Sequence, residues 1–141
     1  VPAEPLKASL WFDGAAEPNP GWGGAGFVVR IQGRPPEVHA VPLGRVTNNV
    51  AEWRALILVL RRARELGATH VRVFGDSQLV LRQVEGTYRV RQADLKPLAE
   101  EAKELLRGFA AYDVEWVPRA ENAEADAAST EGVRLNHRRQ D

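Results

Sequence analysis

Four acidic side chains are placed where chemistry could happen: Asp13, Glu52, Asp76 and Asp126. Asp13 ends an apolar run in SLWFDGAAEPNPGWGGAGFVV, and Asp-Gly between apolar runs is a strong hairpin signal. Here, however, the second run resumes only near Ala25, beyond Pro18, Pro20 and Gly14, Gly21, Gly23 and Gly24. The spacing predicts a long loop, and a tight turn does not require the acid. Glu52 falls inside the apolar arc of a helical pattern built on Trp53, Leu56, Ile57, Leu60 and Ala63. The helix dipole favours an acid in a first turn, which accounts for its place along the helix but not for its face. A bare carboxylate on that face is costly unless it is paired or holds a metal. Asp76 lies between a strand pattern and a helix pattern, where a helix N-cap is the simple reading. Asp126 sits in the alanine-rich turn AEADAAS, where a solvated helical acid is the simple reading.

Taken together, the acids suggest more. If the strand ending in Asp13 lies beside the strand ending in Asp76, their carboxylates converge, repel and are pushed up in pKa. A divalent cation removes that conflict. Oxygen donors without Cys or paired His suit Mg²⁺ or Mn²⁺ rather than Zn²⁺. Two such ions can clamp the attacking and leaving oxygens of a phosphoryl displacement.

The elements that must position these acids follow from periodicity. KASLWFDG, GAGFVVRIQG and PEVHAVPLG read as three strands of a meander, the third near an edge because of Pro42. A helix is predicted from Asn48 to Gly67, a fourth strand over THVRVFG, and helices over DSQLVLRQVEG and DLKPLAEEAKELLRG, with Pro97 tolerated in a first turn. YDVEWV is a fifth strand, ENAEADAASTEG a last helix and VRLNHRRQD a polar tail. The order βββ-α-β-α-α-β-α predicts an α/β fold: a five-stranded mixed sheet, three strands antiparallel and two reached through helices, with helices on both faces. We expect a flexible N-terminus over residues 1–6, one domain over 7–132 and a polar tail over 133–141.

Composition sets broad limits. The chain of 141 residues is 44% hydrophobic and 27% charged, has zero formal net charge and lacks cysteine and methionine. No apolar run approaches the roughly 20 residues that span a bilayer. Zero net charge argues against coating nucleic acid by bulk charge but leaves room for a local basic groove. A cytoplasmic monomer without membrane association is the expectation. The missing initiator Met leaves open a chain cut from a longer protein.

FDGAAEPNPGWGGAGFVV, TNNVAEWRAL, VFGDSQLVLRQVEGTYRV and WVPRAENAEADAAS together resemble type 1 ribonuclease H, in order, from about Lys7 to Glu131. The resemblance implies hydrolysis of the RNA strand of an RNA–DNA hybrid, leaving 5′-phosphate and 3′-hydroxyl ends. It implies two Mg²⁺ ions, with Mn²⁺ as a substitute, held by Asp13, Glu52, Asp76 and Asp126, with Glu52 also beside the ribose 2′-hydroxyl. It places Asn19, Asn48, Asn49 and Gln78 toward the minor groove, Arg45 and Thr47 at a DNA phosphate, and Tyr88 against a deoxyribose. Asn can both donate and accept, as a 2′-hydroxyl reader must. Arg82, Arg89, Arg91 and Lys96 form the basic patch; little room exists there for the extra basic helix of some relatives, so weaker hybrid affinity is expected.

One departure concerns proton transfer and product release. Many relatives carry a histidine in the loop before the last helix; VPRAEN has Arg119 instead, as in short-loop members. Arg119 can hold phosphate but does not exchange protons near neutrality. His137, in the tail, is the other candidate, whereas His39 and His70 read as strand or surface residues. Double-stranded RNA is a further candidate substrate. The competing readings are an integrase- or resolvase-type domain, which needs no 2′-hydroxyl reader, a binding module without catalysis, and a domain excised from a reverse transcriptase or other multidomain protein.

Overall fold

A computed structural model describes residues 4–140. Strands β1 (Lys7–Glu17), β2 (Gly21–Ile31) and β3 (Glu37–Val46) form an antiparallel meander. Helix α1 (Asn48–Glu65) carries the chain to β4 (His70–Gly75), which pairs parallel with β1. Helices α2 (Gln78–Glu85) and α3 (Lys96–Arg107) lead to β5 (Ala111–Trp116), parallel to β4. A one-turn 3₁₀ helix over Arg119–Asn122 then opens α4 (Ala123–Gln140). The strand order is β3-β2-β1-β4-β5. This is the expected five-stranded mixed sheet, with β3 and its Pro42 at an edge.

Alternation along β1 assigns its two faces. Ala8, Leu10 and Phe12 are buried, and Gly14 continues their row with the backbone of Ala51 and Glu52 in α1 directly above it. The odd-numbered residues, Asp13 among them, face α4: Gly26, the partner of Asp13 across the ladder, lies under Ala125 and Ser129. The core between sheet and α1 is closed by Trp53, Leu56, Leu60, Val73 and Leu106, all buried, with α3 packed against α1.

Two segments differ from the sequence expectation. The predicted long loop after Asp13 is ordered strand: β1 continues to Glu17 and β2 begins at Gly21, leaving a three-residue turn, Pro18–Pro20. The residues read as loop, Gly14, Ala15 and Ala16, pair with Ala25, Gly24 and Gly23. They are small because helices press on both faces. A Cβ at Gly14 would overlap the Ala51 carbonyl, and Cβ atoms at Gly24 and Gly26 would overlap the backbone of α4. Asp13 is therefore within a strand rather than at its end.

The second difference is the polar tail. VRLNHRRQ continues α4 through Gln140, and Asn136, which is buried, ties that turn to the sheet. Its side chain accepts from Gly44 N–H at 2.9 Å and donates to the Gly23 carbonyl at 2.8 Å. At the other end Leu6, expected to belong to a flexible N-terminus, donates its N–H to Thr69 Oγ1 at 2.8 Å and packs on the core. Residues 1–3 and Asp141 lie outside the described residues.

Candidate active site

The parallel ladder between β1 and β4 ends at Phe12 opposite Gly75. The next residue on each strand is an acid, Asp13 on one and Asp76 on the other, so adjacency places the two side by side. Ser77, not Asp76, caps α2: its hydroxyl accepts from Val80 N–H at 3.4 Å. The Asp76 carboxylate is thereby left for other partners, and accepts from Asn122 Nδ2 at 3.3 Å. Glu52 arrives from the opposite face. Thr47 caps α1, accepting from Val50 N–H at 3.2 Å, and sets Glu52 in the opening turns. Gly14 lets that turn approach so closely that its N–H donates to Glu52 Oε1 at 2.8 Å.

Asp13, Glu52 and Asp76 each offer a carboxylate oxygen within 4.8 Å of the others. Asp13 and Glu52 are buried and Asp76 half-buried. Burial is the main cause that pushes Asp13 up to about 6; hydrogen bonds with Glu52 and Ser129 oppose the rise, and the nearby Asp76 and Asp126 add to it. Burial, then the charge of Asp13, holds Glu52 well above the usual carboxylate range. Its Oε2 is buried without a hydrogen-bond partner. An all-oxygen cluster with one buried lone-pair donor unspent fits a hard divalent cation.

Asp126 stands outside that close set of three but next to it. It acts on Asp13, is 40% exposed, and lies 3.8 Å from the Arg119 guanidinium, itself 80% exposed. Arg119 thus stands beside Asp126. His137 does not: its ring meets the edge of Trp22 at 5.8 Å, and Trp22 pairs with Glu17, four residues from Asp13 along β1, roughly 13 Å by strand rise.

The other residues singled out in the sequence are exposed or half-buried. Asn19 accepts from Asn48 N–H at 3.0 Å, and Asn48 accepts from Ala16 N–H at 2.7 Å, so the proline turn is pinned to the start of α1. Asn49 lies in a groove of about 590 Å³ together with Tyr88, Arg89, Arg91 and Gln92. Tyr88 is 48% exposed, with the Arg82 guanidinium 5.5 Å from its ring centre. Arg45 stacks over Trp22 at 5.0 Å, beside Thr47. Gln78, first in α2, is exposed. Lys96 opens α3 after an irregular connection from Gly86 to Leu95 that contains no added helix.

Two supporting residues were not read from the sequence. Asn122, 1% exposed, donates to the Phe12 carbonyl at 2.9 Å as well as to Asp76. Ser129, fully buried, donates to Asp13 Oδ2 at 2.8 Å. Their spacing from Asp126, four before and three after, is the helical spacing that shares a face. That was the one available signal.

Three acids converge at the end of the sheet's central parallel pair, an arrangement that fits a divalent cation. Residues 11–132 match the family described as reverse transcriptase-like. The chain is 40% identical over 128 residues to the ribonuclease HI of Halobacterium salinarum, covering 90% of this chain and 64% of that protein. It is 38% identical over 130 residues to the bifunctional protein Rv2228c of Mycobacterium tuberculosis, covering 91% of this chain and 36% of that one. The chain therefore spans about a third to two thirds of these relatives' length. The crystal structure of RNase H1 from H. salinarum superposes with a TM-score of 0.86 at 37% identity, over 90% of this chain and 97% of that one. LC11-RNase H1 in complex with an RNA/DNA hybrid superposes with a TM-score of 0.84 at 29% identity, over 92% and 98%. The chain belongs to the ribonuclease H family.

Proposed function

We propose that this protein is an endonuclease that hydrolyses the RNA strand of RNA–DNA hybrids with two Mg²⁺ ions, leaving 5′-phosphate and 3′-hydroxyl ends. The observation that carries the reading is the meeting of Asp13, Glu52 and Asp76 within 4.8 Å, with Glu52 Oε2 unpartnered. Asp13, Glu52, Asp76 and, on the rim, Asp126 would hold the ions. When bound, divalent ions supply a water of lowered pKa and neutralise charge on a phosphoryl group in displacement. Mn²⁺ meets the same all-oxygen donor set.

The protein's own groups position the hybrid. Asn19, Asn48 and Asn49, held at the start of α1 and the turn tied to it, would offer amide groups to the 2′-hydroxyls that distinguish RNA, with Gln78 a further candidate on α2. Arg45 and Thr47 take a phosphate of the DNA strand, and the Thr47 hydroxyl keeps its own hydrogen while capping α1. Tyr88 offers its exposed ring to a deoxyribose, with Arg89 and Arg91 in the same groove for phosphates. Arg119 holds the departing phosphate at the open side. The structural neighbour LC11-RNase H1 is in complex with an RNA/DNA hybrid, which supports this substrate class.

The test is cleavage of matched RNA–DNA, RNA–RNA and DNA–DNA duplexes with and without Mg²⁺. Mg²⁺-dependent cutting of the hybrid's RNA strand is expected, and Asp13→Asn should abolish it. Near-normal cleavage by that variant would reject the assignment. Cutting of RNA–RNA would widen the substrate class without changing the mechanism. Arg119→Ala should slow steady-state turnover more than single-turnover cleavage, and an unchanged steady-state rate would remove Arg119 from the reaction.

A further inference from the structure

We propose that Ser129 is a positioning residue for the divalent ion: its hydroxyl holds Asp13 Oδ2, so that the other oxygen of that carboxylate is the one presented to the metal. Ser129 Oγ lies 2.8 Å from Asp13 Oδ2 and 2.8 Å from the Asp126 carbonyl. One hydroxyl hydrogen can serve only one of them. A buried helical serine commonly bonds back to the preceding turn, but here that carbonyl already receives the Thr130 hydroxyl at 3.2 Å. The carboxylate is the stronger acceptor, because hydrogen bonds to an ionised group are shorter and about twice as strong. The hydrogen therefore belongs to Asp13.

The fold is shaped to allow this bond. Gly26 pairs with Asp13, and a Cβ on Gly26 would overlap the Ser129 backbone N–H. Only the bare strand lets α4 descend far enough for a side chain as short as serine to reach the acid. With Oδ2 accepting from a fully buried serine, rotation about the Asp13 Cβ–Cγ bond is restrained. The oxygen without the serine bond would then be the one most free to hold an ion, and Ser129 and Asp126 lie one turn apart on the same helix. Partners that orient metal ligands in this way typically change metal affinity by about 10- to 100-fold.

This inference rests on the reading of the acids as metal ligands, and the experiment separates the two. Mn²⁺ binding is measured by calorimetry on the wild type, Ser129→Ala and Asp13→Asn, together with the Mg²⁺ concentration for half-maximal hybrid cleavage. Ser129→Ala should bind Mn²⁺ about 10-fold more weakly and need correspondingly more Mg²⁺. At saturating metal its KM for hybrid should be unchanged. Ser129→Thr, which keeps the hydroxyl, should restore affinity. If Asp13→Asn weakens binding while Ser129→Ala binds as the wild type does, the role of Ser129 is overturned and the metal site stands. If Asp13→Asn also binds as the wild type does, both fall. Should Ser129→Ala not fold, Ser129→Gly removes the same hydroxyl and is read in the same way.

Discussion

At the scale of single residues, the acids oppose the fold that gathers them. Asp13 and Glu52 both have folded-state pKa values above their ordinary ones. Between about pH 4 and pH 6 the metal-free native state thus holds more protons than the unfolded chain, and stability falls as pH rises through that window. In chelator at pH 8, Asp13→Asn should melt higher than the wild type by roughly 3–4 °C, a shift set by ~1 kcal/mol of relieved repulsion and desolvation. The gap should close toward pH 4, and Mg²⁺ should narrow it by stabilising the wild type alone. Thermal melts at the two pH values, with and without Mg²⁺, check this; a wild type that melts higher at pH 8 in chelator would contradict it. The face occupied by Glu52 was legible in the sequence, because one acid interrupts an otherwise apolar stripe. Ser129 and Asn122 were not, because serine in a helix and asparagine before one have ordinary local uses, and only the tertiary approach of α4 gives them another.

At the scale of elements, glycine decides how closely helices sit. The element order followed from periodicity and Pro42 marked an edge strand correctly, whereas the adjacency of β1 and β4 entered only as a condition that the strand order meets. The extent of β1 and β2 did not follow, since a run such as GAAEPNPGWGG lacks the apolar alternation that identifies a strand. Within it Gly14 and Gly24 lie under the backbone of α1 and α4, a cause invisible until the helices are placed. Gly26→Ala should therefore destabilise the protein by about 1–3 kcal/mol, the usual cost of overfilling a packed interior. It should also weaken Mn²⁺ binding as Ser129→Ala does, by lifting α4; denaturant unfolding and calorimetry measure the two effects. A different tie holds the β3 edge to α1. Arg62 donates to both Glu37 oxygens at 2.8 and 2.9 Å, and His39 lies 2.8 Å from one of them. The hydrogen bond from Arg62, then that with His39, lowers Glu37 to about 2. Because the folded pKa is depressed, this contribution is present above about pH 4.5 and is lost as pH falls toward 2. Glu37→Gln should be slightly less stable than the wild type at neutral pH and equal to it near pH 2 in denaturant titrations.

At the scale of the whole molecule, a chain with zero formal net charge must bind a polyanion through local arrangement. Arg89 and Arg91 share the groove that holds Asn49 and Tyr88, and no helix is inserted to add further cations. Each phosphate contact contributes about 0.9 to the slope of log affinity against log salt for duplex DNA. Arg89→Ala with Arg91→Ala should thus weaken hybrid binding and flatten that slope by roughly 1–2, measured by fluorescence anisotropy over a salt series; an unchanged slope would place the phosphates elsewhere. The family motifs, spread from Asp13 to Asp126, made the class of the molecule legible, while the groove depended on how the connection after α2 folds back beside α1.

Asp126 and Ser129 come from the last helix of the fold, and Asn136 fastens that helix to strands formed much earlier in the chain. The proposed metal site is therefore finished by the most C-terminal helix, and a chain truncated before α4 would lose Asp126 and the Ser129 hydroxyl together.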